Sequence, residues 1–296
     1  MDVFDFLSSY KEKPRLVSPV TYQGAKVRLA SEIVDRIGVG PDQVFYDVCC
    51  GGGSITLELL NRGHPANNIV MVDIGPWGVF WKTLAEGTFR MVDFDQWLSQ
   101  VPNDLCKIPD WMAEVSALPA TEEVIPYLFP LLQAAAFGGK AIGLKGTSWV
   151  RGDTGGALTQ GWRRYWTPTA TSDRRSPVNP MMPMPNTIRE RVVSLIGPME
   201  GVIVVQGNAV DLEPRDGIVY VDPPYLGTTG YAEEFDFDLP PLWASRGCDV
   251  WVSEGRPVSE NAVCISRGRS KGGVSGKRKK ANEEWLSYFP SQEVTK

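Results

Sequence analysis

Apolar runs of four or five residues recur along this chain, and each is halted by an acid, a glycine or a polar turn. Such runs predict short strands, and we assign them to 44–48, 68–72, 202–205, 218–221, 250–252 and 262–265. Ahead of the first strand the period is different. Val27, Ala30, Ile33, Val34 and Ile37 fall at helical spacing, with Arg28, Glu32, Asp35 and Arg36 on the opposite side, so a helix is expected over 27–37, ended by Gly38, Gly40 and Pro41. Further helices are expected over 55–61, over about 131–137 up to Gly138-Gly139, and over 187–195. The succession of strand, glycine turn, helix and strand over 44–73 predicts an α/β fold with a Rossmann-like sheet and helices on both faces. From 75 to about 195 that rhythm is lost, and Trp77, Trp81, Trp97, Trp111, Pro102, Pro109 and Pro119 crowd the sequence. We therefore divide the chain into a first half at 1–87, an inserted region at 88–195 and a second half of the same domain at 196–296.

The 296 residues are 43% hydrophobic and 22% charged, which suits one large domain with an insertion. The mixed, charged start lacks a signal-peptide pattern, and the longest apolar run, 124–137, is too short to span a bilayer and contains Pro126, Pro130 and Gln133. A soluble, cytoplasmic protein without membrane partners is expected, either a monomer or a weak dimer. The five cysteines show no Cys-x-x-Cys spacing and read as reduced core thiols. The only histidine, His64, precedes Pro65 in an expected loop, so Ser-His and His-metal chemistry are disfavoured and no metal is expected. The net charge of −5 argues against a wholly basic surface but leaves room for local basic patches.

Chemistry concentrates at strand ends. Asp47 closes the first strand, just before Cys49-Cys50-Gly51-Gly52-Gly53, and Asp73 follows the second, 22 residues after Gly51. An acid at that offset suits ribose hydroxyls. The glycines fit neither Gly-x-Gly-x-x-Gly nor a phosphate loop, and Asp47 would repel a pyrophosphate. It would suit a ligand bearing an amine or a sulfonium, which favours S-adenosylmethionine over a dinucleotide. Upstream, Tyr22-Gln23-Gly24-Ala25-Lys26 sets free N–H groups and a lysine at a loop-to-helix junction.

Downstream, the strand at 218–221 stops at Asp222-Pro223-Pro224-Tyr225. Two prolines make a stiff elbow with carbonyls and no competing N–H. Two basic stretches complete the inventory. Arg151, Arg163, Arg164, Arg174 and Arg175 outnumber Asp153 and Asp173 and are interleaved with Trp162, Tyr165 and Trp166. Arg267, Arg269, Lys271, Lys277, Arg278, Lys279 and Lys280 lie among glycines and serines near the end. Basic groups attract phosphates and aromatic rings stack on bases, so Arg151, Arg163, Arg164, Arg174, Lys277 and Arg278 are candidate nucleic-acid contacts.

Three of these segments resemble the Dam-type, α-group DNA adenine methyltransferases: Tyr22 to Lys26 their N-terminal cofactor motif, Asp47 to Gly53 their cofactor loop, and Asp222 to Tyr225 their catalytic tetrapeptide. The end of the chain, with Gly276-Lys277-Arg278 and Asn282-Glu283-Glu284-Trp285-Leu286, is similar as well. The resemblance implies S-adenosylmethionine as cofactor, double-stranded DNA as partner, and a target-recognition insertion between the two halves. It implies that Tyr22, Gly24, Lys26, Asp47, Gly51, Gly53, Asp73, Asn208 and Asp222 surround the cofactor, and that Asp222, Pro223 and Tyr225 carry the reaction. Asn208 stands where the family usually has an acid, and Cys49 where it tends to have an aromatic. The implied activity is methyl transfer to the exocyclic amine of a flipped adenine. The tetrapeptide equally permits cytosine N4, RNA adenine or a protein amide as target. A DNA-binding relative without catalysis is the alternative from another class. A nicotinamide oxidoreductase would use the glycine loop and Asp73 but leaves Asp222 to Tyr225 unexplained.

Overall fold

The computed structural model describes residues 14–152, 154–158, 161–225, 235–271 and 278–292, with backbone alone over 268–271 and 278–282. Among these residues seven strands form one sheet: β1 (Phe45–Val48), β2 (Ile69–Asp73), β5 (Ile203–Gln206), β6 (Ile218–Val221), β7 (Asp249–Glu254), β8 (Asn261–Lys271) and β9 (Arg278–Phe289). A separate hairpin pairs β3 (Ile142–Lys145) with β4 (Ser148–Arg151). The order across the sheet is β5-β2-β1-β6-β7-β9-β8. The first five are mutually parallel, while β9 runs antiparallel to both β7 and β8. The molecule is thus a mixed α/β fold whose mostly parallel sheet is compatible with a Rossmann-like fold.

Side chains alternate between the two faces of the sheet, and both faces are covered. Phe45, Ile69, Met71, Ile218 and Tyr220 point into one cluster, and Val48, Val70, Val72, Val219, Val221, Val250 and Val252 into the other. The second face is closed by α8 (Leu239–Ser245), whose Leu239, Trp243 and Ala244 are buried. The first face carries much more: α1 (Ala30–Ile37), α2 (Ser54–Asn61), α3 (Pro76–Ala85), and then α4 (Met91–Ser99), α5 (Ile108–Val115), α6 (Ile125–Ala135) and α7 (Pro185–Leu195). Phe94, Ile108, Met112, Leu128 and Phe129 share one cluster with Phe45 and Trp77, so the region at 88–195 is built onto the sheet's own core. It lies within the crossover that joins β2 to its parallel neighbour β5.

Several expected elements shift. Val27 is 58% exposed, because Gly24 to Leu29 forms turns and the first helix begins at Ala30. The helix expected at 131–137 starts earlier, at Ile125, since Pro126 in the first turn needs no N–H partner, and it ends at Ala135, beyond which Ala136 turns extended. Helices α3, α4 and α5 occupy the stretch after 75, where the strand–helix rhythm is lost as expected. Cys50 and Cys248 are buried as expected of core thiols, whereas Cys106 is exposed. Among the described residues no helix is long and apolar enough to cross a membrane.

Candidate active site

The strand order reverses between β1 and β6, since β1 leads outward to β2 and β5 while β6 leads to β7. Crevices at such a point, beyond the carboxyl ends of the strands, are where open α/β sheets take ligands. A cavity of about 220 Å³ lies there.

On the β1 side the chain turns through left-handed backbone at Cys49, Gly51 and Gly53 before entering α2. Gly53 must stay small: a Cβ there would lie 2.8 Å from Trp81 Cζ2, and Trp81 is fully buried with its Nε1 donating to the Gly51 carbonyl at 2.7 Å. Asp47, on the same face as Phe45, reaches beneath α2. Its Oδ2 accepts the Thr56 backbone N–H at 3.1 Å and the Thr56 hydroxyl at 2.7 Å. The free N–H end of α2, where an anion would otherwise bind, is therefore met by the protein's own carboxylate. Burial pushes the Asp47 carboxyl up to about 7, against the lowering effect of the Thr56 bonds. Asp73 closes the loop from β2: its two oxygens accept Gly51 N–H at 2.9 Å and Gly75 N–H at 2.8 Å. Burial also raises the Asp73 carboxyl, partly offset by these two bonds.

On the β6 side the Asp222 N–H donates to the Val48 carbonyl at 3.1 Å, fixing the strand end beside β1. The Asp222 carboxylate faces the Lys26 ammonium, with Nζ 2.5 Å from Oδ1. Lys26 is only 6% exposed, and its Nζ also donates to the Gly24 carbonyl at 3.2 Å. That same nitrogen lies 4.9 Å above the Tyr225 ring, a cation–π geometry, and 3.6 Å from Glu284 Oε1. The Tyr225 hydroxyl donates to Glu284. Burial raises the Asp222 carboxyl to about 6, with Lys26 opposing the rise and Glu284 and Glu254 adding to it.

Tyr22, Gly24, Lys26, Asp47, Gly51, Asp73, Asn208 and Asp222 all line this one cavity, so the segments singled out in the sequence converge. Others stand differently. Gly53 supports the loop by packing on Trp81 rather than bordering the cavity. Pro224, not the buried Pro223, borders it, and the Tyr225 ring is turned toward Lys26 and Glu284. The Asn208 side-chain carbonyl accepts the Val210 N–H at 3.2 Å, which fixes that amide at the cavity wall. The hairpin β3–β4 adds Ile142, Gly143 and Leu144 to the wall, which ties the inserted region to the site.

The basic residues divide. Arg163 is 8% exposed, and its Nη2 donates to the Ala136 carbonyl, so it sits inside rather than on the surface expected for a phosphate contact. The cause is the bridge between Trp162 and Ala136, which draws that segment against the end of α6. Arg164 and Arg174 are exposed, as are Tyr165 and Trp166, and Arg151 is half-buried. Asp153 and Lys277 lie outside the described residues, and Arg278 is described by its backbone in β9. Glu284 was not singled out as a site residue from sequence, although it lies within the quoted Asn282 to Leu286. Its alternation with Glu283, which faces Arg267 at 3.5 Å, is the signal that one of the two points inward.

No protein-family model matches the chain, and no curated protein matches it.

Proposed function

We propose that this protein transfers the methyl group of S-adenosylmethionine to the exocyclic N6 amine of adenine in double-stranded DNA. One observation carries the reading: the cavity at the strand-order reversal is bordered by Asp47 and Asp73 on one side and Asp222 on the other, with Lys26 the one lysine among its lining residues. Three largely desolvated carboxylates against one ammonium favour a cationic occupant. Asp47 caps α2 where a pyrophosphate would have to sit, which disfavours a dinucleotide. The residues present thus fit a ligand that bears an ammonium and a sulfonium. Asp47, Asp73, Gly51 and Tyr22 would hold it.

When bound, S-adenosylmethionine supplies an electrophilic methyl group on sulfur. The protein's part is acceptor placement. The amine's lone pair is delocalised into the base, so it is a poor nucleophile. Asp222 accepts one N–H, and a carbonyl of the Pro223-Pro224 elbow, whose Pro224 borders the cavity and brings no N–H to compete, accepts the other. This favours a pyramidal nitrogen with its lone pair free. Asp222 also stabilises the positive charge that grows on nitrogen and takes up the proton it loses. A stacking ring such as Tyr225 contributes about 1–3 kcal/mol, comparable with the few kcal/mol needed to flip a base out of a duplex. The exposed Arg164, Tyr165, Trp166 and Arg174 give the insertion a surface suited to phosphates and bases.

The test is label transfer from methyl-labelled S-adenosylmethionine into DNA, RNA and protein, followed by digestion to modified bases. The expected product is N6-methyladenine in DNA. Asp222→Ala should abolish it, by about 10³-fold or more, while cofactor binding persists. An active Asp222→Ala protein would overturn the proposal.

A further inference from the structure

Lys26 stands between two carboxylates and is shared unequally. Its Nζ is 2.5 Å from Asp222 Oδ1 and 3.6 Å from Glu284 Oε1. All three side chains are mostly buried, at 6%, 20% and 15% exposure, so the neutralisation of one carboxylate is felt at the other. We propose that Glu284 is a positioning residue for methyl transfer: it draws Lys26 away from Asp222 when the substrate amine needs that carboxylate, and it fixes the Tyr225 ring through its hydroxyl. The inference rests on the methyltransferase reading above.

The geometry makes the exchange a small one. A charge-assisted bond of 2.7–2.9 Å to Glu284 requires Nζ to move by only about 1 Å. The Gly24 carbonyl, 3.2 Å from Nζ, tethers the lysine near both acids. Glu284 is held from the far side by β9, where the ladder pairs it with Ser266 of β8 and sets Trp285 opposite Glu254 of β7. A strand position is a firm platform for a residue that must receive a charge without following it.

The exchange also answers an electrostatic difficulty. As the methyl group arrives, positive charge builds on the amine nitrogen, and an ammonium clamped on Asp222 opposes that charge. With Lys26 on Glu284, Asp222 meets the amine with its charge uncompensated. Methyl transfer itself stays balanced: the nitrogen lone pair forms the new C–N bond, the C–S bond breaks with its electrons remaining on sulfur, and the proton leaves the nitrogen through Asp222. Among the described residues, the charged and titratable groups that face Asp222 are Lys26, Glu284, Glu254 and Asp47, together with the Tyr220 and Tyr225 hydroxyls and the Cys49 thiol.

The experiment uses the full chain and begins without cofactor. The Asp222 carboxyl signal is assigned by its disappearance in Asp222→Asn, and its ¹³C shift is titrated by NMR in wild type and in Glu284→Gln. Glutamine keeps the shape and can still accept the Tyr225 hydroxyl, but removes the competing charge. The Asp222 midpoint should fall from about 6 by roughly one pH unit, because a competitor for Lys26 and a repelling neighbour of Asp222 is gone. Tyr225→Phe should move it the opposite way, since a Glu284 freed of the hydroxyl competes harder for Lys26, and this keeps the test decisive if Glu284→Gln folds poorly. In methyl transfer, Glu284→Gln should lower kcat about tenfold, with KM for DNA within about twofold, and its acid limb should move to lower pH. An unmoved Asp222 midpoint overturns the inference whatever the enzyme assay gives. Equal changes in kcat and KM with an unmoved limb also overturn it and reduce Glu284 to a structural role. A midpoint that moves in Glu284→Gln while the wild-type protein transfers no methyl group overturns the methyltransferase reading, and Glu284's part in the transfer falls with it.

Discussion

The ends of β1 and β6 lie side by side and each presents a buried carboxylate to the same cavity, yet the two are held by different kinds of partner. Asp47 is 1% exposed and bound by the backbone N–H and hydroxyl of Thr56, both neutral and fixed on α2. Asp222 is bound by the ammonium of Lys26, which reaches across from a turn and has a second acid within 3.6 Å. Burial raises both carboxyls, to about 7 and about 6. The partners decide what each can do. A carboxylate held by rigid neutral donors shapes the field of the site and stays where it is. One held by a mobile cation with an alternative acceptor can change partners, and reaction steps need that.

Lys26→Met breaks the β6 side and should have the largest effect. Removing one partner of a buried pair costs about 3–5 kcal/mol when the other stays charged. The sign with pH follows from the raised Asp222 carboxyl. A group whose folded value lies above its unfolded value contributes stability fully below the ordinary carboxylate range and loses it as pH rises through the folded value. Without Lys26 that folded value climbs further. Urea unfolding should therefore show a deficit near the full amount at pH 8 that shrinks toward pH 5. Equal deficits at the two pH values would mean that Lys26 matters through packing, and the contrast between the strand ends would lose its electrostatic basis.

Gly53→Ala tests the rigidity of the β1 side. The backbone there has φ +70°, and the added methyl would meet Trp81 at 2.8 Å, with the indole already tethered to Gly51. Strain and overpacking together should destabilise by about 2–4 kcal/mol, and the loss should be the same from pH 5 to pH 8. The Asp222 titration should not move. A shifted Asp222 midpoint would show that the β1 loop and the β6 end respond as one body, and that the rigid and exchangeable halves are not separate.

Much of this arrangement is legible in the amino-acid sequence. Asp47, Asp73 and Asp222 each stand where an apolar run stops, and the runs at β1, β2 and β6 are apolar because parallel strands are covered on both faces. Helix α3 was not legible for the same reason: Trp77, Val79, Phe80, Trp81 and Leu84 are all buried, so no polar stripe marks a helical period. Val27 shows the reverse error: its spacing matched a stripe, but the turns at Gly24 to Leu29 keep it off the helix. Arg163 and Arg164 are indistinguishable as letters, and only the bridge from Trp162 to Ala136 turns one inward. Glu284 lies 59 residues from the Tyr225 hydroxyl it accepts, a contact set by the order of β7, β9 and β8 rather than by local pattern.

The smallest expected effect is the most discriminating, because it addresses the fixed carboxylate directly. In Asp47→Asn the amide oxygen can still accept from Thr56, but the amide N–H groups enter a buried place that offers them no obvious acceptor, at about 1–3 kcal/mol. Against this, the variant escapes the charging of a desolvated acid. Asp47, raised to about 7, gives its stability in full below the ordinary carboxylate range and loses it as pH rises from about 4 through 7. The two effects oppose each other. At pH 4 wild type should be the more stable by about 1–2 kcal/mol, and by pH 8 the two proteins should be level or reversed, with the variant's curve the flatter throughout. Chemical unfolding at half-unit steps of pH would trace both curves. Parallel curves would mean that the Asp47 carboxyl titrates alike in the folded and unfolded chains and is not the desolvated acid that the cavity argument requires. The preference for a cationic ligand would then rest on Asp73 and Asp222 alone.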